Sequence, residues 1–254
     1  MAIKLAIAGC CGRMGQTIAR CALEDAVFAL GAVFEAPGHA AITSDYATVL
    51  GRPVGGSLLR VSDDARKAIS QGDVVIEFTT PEATLTHVEL ARELRKPIVI
   101  GTTGLSTAHV DTLKTAARSI PIVLSPNMSV GANVLCELVQ LAAQRLGLSY
   151  DVEVVEAHHH QKKDAPSGTA KRLAEVLAAA RKQPATSVPV HAVRAGDIVG
   201  DHTVILAGPA ERLELTHRAH SREVFARGAL KAAQFAVRQS PGLYDMSHVL
   251  NASS

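Results

Sequence analysis

A short apolar run, a glycine-spaced turn and a helix-forming stretch follow one another at the start of the chain, and that order restricts the possible folds more than any other feature. Ile3 to Ala8 (IKLAIA) has strand length, Gly9, Gly12 and Gly15 come next, and QTIARCALED is compatible with a helix. Strand, glycine turn and helix open a mononucleotide-binding unit, where glycines let the backbone approach a pyrophosphate lying at the helix N-terminus. The glycines are spaced GxxGxxG, with Cys11 where GxGxxG has its second glycine, so the turn alone is a weak signal. Leu30 to Glu35 (LGAVFE) reads as a second strand ending in an acid 20 residues after Gly15. A carboxylate at that distance accepts the adenosine ribose hydroxyls; an exposed strand-end acid is the alternative reading. Ala36 follows Glu35, so no base stands beside it for a 2′-phosphate, which favours NADH over NADPH.

Further apolar runs at Asp73 to Phe78, Pro97 to Ile100 and Ile120 to Leu124 alternate with helical spacing over Pro81 to Leu94 and Ser106 to Arg118. Alternation of this kind predicts a parallel sheet of Rossmann type, with ligands beyond the carboxyl ends of its strands. Thr79 and Thr80, Gly101 to Gly104 (GTTG) and Ser125 to Met128 (SPNM) then share one rim. GTTG serves equally as a plain turn, although small hydroxylated residues after a buried strand suit a nicotinamide ribose or amide.

After Ser129 the pattern changes. Gly131 to Leu146 has helical spacing, the strand around Val152 to Val155 follows, and Ser187 to Val193, Thr203 to Ala207 and Arg212 to Arg218 read as strands between short glycine or proline turns. Short turns predict mainly antiparallel neighbours, so the second domain is expected to be α+β with a mainly antiparallel or mixed sheet. Val224 to Val237 is helical again, and Ser240, Pro241 and Gly242 stop it before a short tail.

Glu156 to Ala170 (EAHHHQKKDAPSGTA) joins the strand to the helix of Ala170 to Lys182. Pro166 breaks any continuous helix, and Ser167 is a good N-cap, leaving the amides of Gly168, Thr169 and Ala170 without intrahelical acceptors. Such amides suit an anion, and Gly168 has no side chain to keep a carboxylate away from the backbone. His158 to Lys163 add proton donors and positive charge. The segment therefore suits a small anion that must be protonated. A metal is not expected here, because in an extended backbone His158 and His160 face one way and His159 the other.

Composition bounds the remaining possibilities. The chain has 254 residues, 47% apolar and 20% charged, which suits a soluble globular protein of one large or two ordinary domains. A net charge of +2, 3% aromatics and no Trp predict no nucleic-acid partner. No run approaches the roughly 20 apolar residues of a membrane helix, and Leu5 to Cys11 reads as a buried strand and turn, not a signal peptide. Cys10, Cys11, Cys21 and Cys136 show no zinc spacing, which suggests a reducing, cytoplasmic setting.

With these motifs in view, the chain resembles the dihydrodipicolinate reductase (4-hydroxy-tetrahydrodipicolinate reductase) family over nearly its whole length. The resemblance rests on GCCGRMG at Gly9 to Gly15, GTTG, NMSVG at Asn127 to Gly131, EAHH with Lys162 and DAPSGTA, RAGDIVG at Arg194 to Gly200, and GLYDM at Gly242 to Met246. It implies reduction of a cyclic imine, made from aspartate semialdehyde and pyruvate, on the route to diaminopimelate and lysine, with NADH or NADPH. It implies that His158 and Lys162 donate a proton and that His159, Gly168 and Thr169 hold the carboxylates of a small dicarboxylate substrate. Gly9, Cys10, Cys11, Gly12, Arg13, Met14, Glu35, Gly101, Thr102, Thr103, Ser125, Pro126, Asn127 and Met128 match the cofactor contacts. The implied domains are 1–129 with 223–254 for the dinucleotide, and 130–222 for substrate and assembly into a homotetramer through the second domain's sheets. The departures are Ala36 for the Arg of many relatives, Cys11 at a common glycine position, Glu77 for a usual Asp, and a short stretch at Gln183 to Val193. Other readings of the same features are a different two-domain dehydrogenase of a small amino or keto acid, and a non-catalytic redox sensor.

Overall fold

The computed structural model describes residues 1–55 and 58–252. The chain divides into two compact units, Met1–Met128 with Phe225–Ser254, and Ser129–Val224. In chain order the first unit contains β1 (Ile3–Ala8), α1 (Arg13–Ala22), β2 (Phe28–Phe34), α2 (Tyr46–Leu50), β3 (Val61–Ser62), α3 (Ala65–Gln71), β4 (Val74–Glu77), α4 (Pro81–Glu93), β5 (Ile98–Ile100), α5 (Thr107–Ala116) and β6 (Pro121–Leu124). The second contains α6 (Val130–Leu146), β7 (Asp151–His158), α7 (Gly168–Ala180), β8 (Val190–Arg194), β9 (Gly200–Ala207) and β10 (Arg212–Ala219). The chain then returns to the first unit with α8 (Glu223–Ala236), β11 (Gly242–Tyr244) and α9 (Met246–Asn251).

The first unit is built on a seven-stranded sheet in the order β11-β6-β5-β4-β1-β2-β3, with every pairing parallel. Because β1 is interior and the chain proceeds outward from it on both sides, the strand order reverses between β1 and β4. The ends of those two strands therefore flank the ligand crevice expected of such a sheet. Apolar runs explain why these strands are interior: Leu5 to Ala8 and all of β4 and β5 are buried. Side-chain caps start α4 and α5, with Thr80 accepting from Ala83 and Ser106 from His109. The tail expected after α8 is instead a strand and a helix. Three residues, Gly242 to Tyr244, extend the sheet beside β6, and Asp245 caps α9 through the amides of Ser247 and His248.

The second unit has four strands in the order β10-β9-β7-β8. β9 runs antiparallel to both β10 and β7, whereas β7 and β8 are parallel. The sheet is therefore mixed, as expected, with β7 and β8 parallel because α7 lies between them in the chain and acts as a crossover. β8 begins three residues later than expected, since Ala185 to Ser187 form a 3-10 turn. Leu135 and Val139 of α6 and Leu173 and Leu177 of α7 pack on Val152, Val154, Val204 and Leu206 of the sheet. Among the described residues, no helix is long and apolar enough to cross a membrane.

Candidate active site

In the first unit the glycine turn leaves β1 and bends over its end. Gly9 has φ +60, the left-handed region that glycine enters without steric cost. A Cβ on Gly15 would lie 2.3 Å from the Gly9 carbonyl oxygen, so helix and turn meet only because that side chain is missing. α1 begins after Gly12 with no side-chain cap, which leaves its positive end facing the crevice. Glu35 follows the last residue of β2 beside the turn, where its carboxylate accepts from the amide of Cys11 at 3.1 Å and from that of Ala36 at 3.0 Å. Glycine turn, uncapped helix end and adjacent acid fit the pyrophosphate and ribose of a dinucleotide.

Farther along the same rim lies a cleft of about 280 Å³, lined by Met14, Gly101, Thr102, Thr103, Pro126, Asn127 and Met128 together with Phe78, Thr79 and Phe225. Its floor is braced by Glu77, a fully buried carboxylate at the end of β4. Glu77 accepts from the Thr79 amide at 3.0 Å and lies 2.5 Å from Nδ1 of His87, while the hydroxyls of Thr79 and Thr84 also donate to it. Thr102 joins the same network, accepting from the Thr79 amide at 3.2 Å. Sequence reasoning had marked Glu77 only as a departure from its relatives and did not consider His87.

In the second unit strand geometry builds the site. Side chains of β7 alternate, so Val152, Val154, Glu156 and His158 all point to the face covered by helices. Pairing places His202 of β9 opposite Glu156, and Arg194 of β8 opposite His158. Glu156 is fully buried and engaged on all sides. Arg194 donates to both its oxygens at 2.9 and 2.8 Å, the Ser167 amide donates at 3.1 Å, and Nδ1 of His158 lies 2.5 Å away. Burial alone would raise the Glu156 carboxyl, but these hydrogen bonds outweigh it and hold the group below the usual carboxylate range. Burial pushes His158 down from its ordinary value, with Glu156 opposing that shift and Lys162 and Arg194 reinforcing it.

The strand ends at His158, and the loop after it is tied to the RAGDIVG segment. The Ala195 amide donates to the His158 carbonyl at 2.9 Å, His159 donates to Ile198 at 2.7 Å and His160 to Gly196 at 3.2 Å. His159 and His160 thus lie in the turn that follows the strand, and the ring of His160 is occupied by the Gly196 carbonyl at 2.8 Å. Lys162 pairs with Asp164 at 2.8 Å. At the start of α7, Ser167 caps the helix by accepting from Ala170 at 3.2 Å, so that amide, expected to face an anion, is used internally. Gly168 opens onto free space, with nothing within 4 Å of where a Cβ would stand. The Ser167 hydroxyl also meets Nε2 of His202 at 3.2 Å, and His202 stands edge-on to His158 with ring centroids 5.2 Å apart.

Each group of predicted residues thus gathers within its own unit: the glycine turn, Glu35 and the two rim loops in one, and His158, His159, Lys162, Gly168 and Thr169 in the other. Glu156, Arg194 and His202 were missed as site residues. Shared parity with His158 on β7 would have exposed Glu156, since an acid and a histidine two residues apart on a strand share a face.

Comparison with known proteins decides the family. Residues 3–128 match the model described as "Dihydrodipicolinate reductase, N-terminus" and residues 131–250 that described as "Dihydrodipicolinate reductase, C-terminus". The chain belongs to the dihydrodipicolinate reductase family. It is 44% identical to the 4-hydroxy-tetrahydrodipicolinate reductase of Aromatoleum aromaticum, over 98% of this chain and 95% of the relative. It is also 44% identical to the enzyme of that name from Syntrophus aciditrophicus, over 99% and 100% of the two chains. A dipicolinate-bound dihydrodipicolinate reductase from Paenisporosarcina sp. TG-14 superposes with a TM-score of 0.79 at 25% identity, covering 96% of this chain and 98% of that one. An amine dehydrogenase from Mycobacterium smegmatis shares the fold alone, with a TM-score of 0.65 at 12% identity, over 96% and 94%.

Proposed function

We propose that this member of the dihydrodipicolinate reductase family is an NAD(P)H-dependent oxidoreductase that reduces 4-hydroxy-tetrahydrodipicolinate to tetrahydrodipicolinate on the route to diaminopimelate and lysine. The observation that carries the mechanistic reading is Glu156, whose carboxylate touches both the His158 ring and the amide of Ser167, the cap residue of the helix facing the expected anion. One buried acid thus sets the proton donor and the carboxylate-binding turn in fixed relation. Gly168 and Thr169 at the helix start, with His159, hold the substrate carboxylates. The proton that completes reduction comes from the His158 and Lys162 pair. A bound dianion favours the charged imidazole, opposing the downward push of burial, and Glu156 stabilises that charged form through Nδ1.

Gly9 to Met14 would hold the pyrophosphate, Glu35 the adenosine ribose, and Gly101 to Thr103 with Ser125 to Met128 the nicotinamide end; the reduced nicotinamide supplies the hydride. NADH is the preferred cofactor, because Glu35 is turned toward Cys11 and residue 36 is an alanine. The enzyme works in the cytoplasm as a homotetramer. Support for assembly comes from the sheet face away from α6 and α7, where Val193 is exposed, and from Val134, Leu138 and Leu141, which form an exposed stripe along α6. The test is to supply enzymatically generated cyclic imine and follow loss of reduced nicotinamide with NADH and with NADPH. Substrate-dependent oxidation, faster with NADH at low concentration, is expected. Equal use of both cofactors would remove the NADH preference, and no oxidation of either by a cofactor-binding protein would remove the reductase reading.

A further inference from the structure

Cys11, the residue that departs from the family glycine, sits with Cys10 and Glu35 in an arrangement that the spacing of cysteines along the chain could not reveal. Ala8 pairs with Phe34, and this register brings Glu35 across to the glycine turn. The sulfurs of Cys10 and Cys11 are 3.8 Å apart, and one ligand atom from each of Cys10, Cys11 and Glu35 lies within 4.8 Å of the other two. Two thiolates bound to one tetrahedral zinc at about 2.3 Å are separated by about 3.8 Å, so the sulfurs already stand at a metal-binding distance. The turn holds them there: the Cys10 amide donates to Phe34 at 3.2 Å, the Tyr46 hydroxyl donates to the Cys10 carbonyl at 2.8 Å, and Gln16 donates to the Cys11 carbonyl at 2.8 Å. Cys10 is fully buried, whereas Cys11 and Glu35 are partly open, so an ion enters from their side.

We propose that Cys10, Cys11 and Glu35 form a three-ligand site for a thiophilic divalent cation of the zinc class, and that this cation and the dinucleotide exclude one another. Each thiol releases its proton to solvent as its sulfur–metal bond forms, with no change of oxidation state. Burial and the nearby Glu35 push both thiols up in the free protein, a balance that a bound dication reverses. Exclusion follows because Glu35 cannot serve a metal and a ribose together; this part rests on the cofactor reading above.

Reduced protein should be titrated with Co²⁺ while the thiolate-to-cobalt charge-transfer band is followed. One Co²⁺ per chain is expected, with affinity falling by roughly 100-fold in Cys11→Ser and roughly 10-fold in Glu35→Gln, and unchanged in Cys136→Ser, since losing a ligand costs at least what losing a supporting contact does. Circular dichroism would confirm that each variant is folded. No band, or a band that survives both Cys11→Ser and Glu35→Gln, would overturn the site and leave only a thiol contact. Added NADH should weaken Co²⁺ binding in proportion to its concentration. NADH that binds without doing so would overturn exclusion while the site stands, and NADH that fails to bind would count against the cofactor reading, with the cobalt band still judging the site.

Discussion

The two sheets of this chain treat polar side chains in opposite ways. In the parallel sheet, β4, β5 and Leu5 to Ala8 of β1 are buried and almost wholly apolar, and the residues with chemistry stand beyond the strand ends in turns; Glu77, at the last position of β4, is the limiting case. In the mixed sheet, Glu156, His158 and His202 lie within strands on the face that packs against α6 and α7. A site beyond strand ends can change with little effect on the core beneath it. A site inside the packed face ties chemistry to stability.

The largest effect that would test this contrast is on turnover. His158→Gln should lower kcat by about 10²- to 10⁴-fold, the range for a lost general acid, while NADH affinity measured by fluorescence stays unchanged; loss of NADH binding would show that the two units do not act separately. Next, Glu156→Ala should destabilise the protein by about 3 kcal/mol in urea unfolding, because Arg194 and His158 lose a buried partner. Glu35→Ala, at an open turn, should cost less than about 0.5 kcal/mol in the same assay. Equal costs would break the comparison.

A third test uses pH. His202 is buried, and burial above all, helped by neighbouring His158, His217 and Lys162, lowers it from 6.5 to about 4. Between those values the unfolded chain takes up a proton that the folded protein refuses, so stability falls as pH drops through this window. His202→Asn should remove a contribution on the order of 3 kcal/mol from the loss between pH 6.5 and 4. Thermal or urea unfolding at stepped pH would show it, and an unaltered difference curve would place the acid sensitivity elsewhere. The smallest effect belongs to the open site: Glu35→Ala should weaken NADH binding by about 10-fold, with less effect on NADPH.

This contrast also explains what was legible in the amino-acid sequence. β1 has the expected limits, and the cap at Ser167 occurs as predicted, because strand runs and helix caps are local signals. β3 and β11, with two and three residues, are too short to show periodicity, and a proline before Gly242 disguises β11 as a tail. The parallel pairing of β8 depends on a crossover, not on turn length. In the second unit, His158 and the Ser167 turn were visible within one loop, but the Glu156 network was not. Arg194 is 38 residues from Glu156, and only strand register brings them together.

The return of the chain to its first sheet has a consequence for how the protein is made. β11, which closes the sheet beside β6, is contributed by residues 242–244, after the whole second unit has been synthesised. Until the ribosome releases them, Ile122 and Val123 of β6 lack their neighbour on that side, leaving an apolar strand edge of the kind that pairs with other chains. The second unit is a continuous segment and has all its strands before then. The nascent protein therefore completes its inserted half first, and the half that begins the chain is the last to be finished.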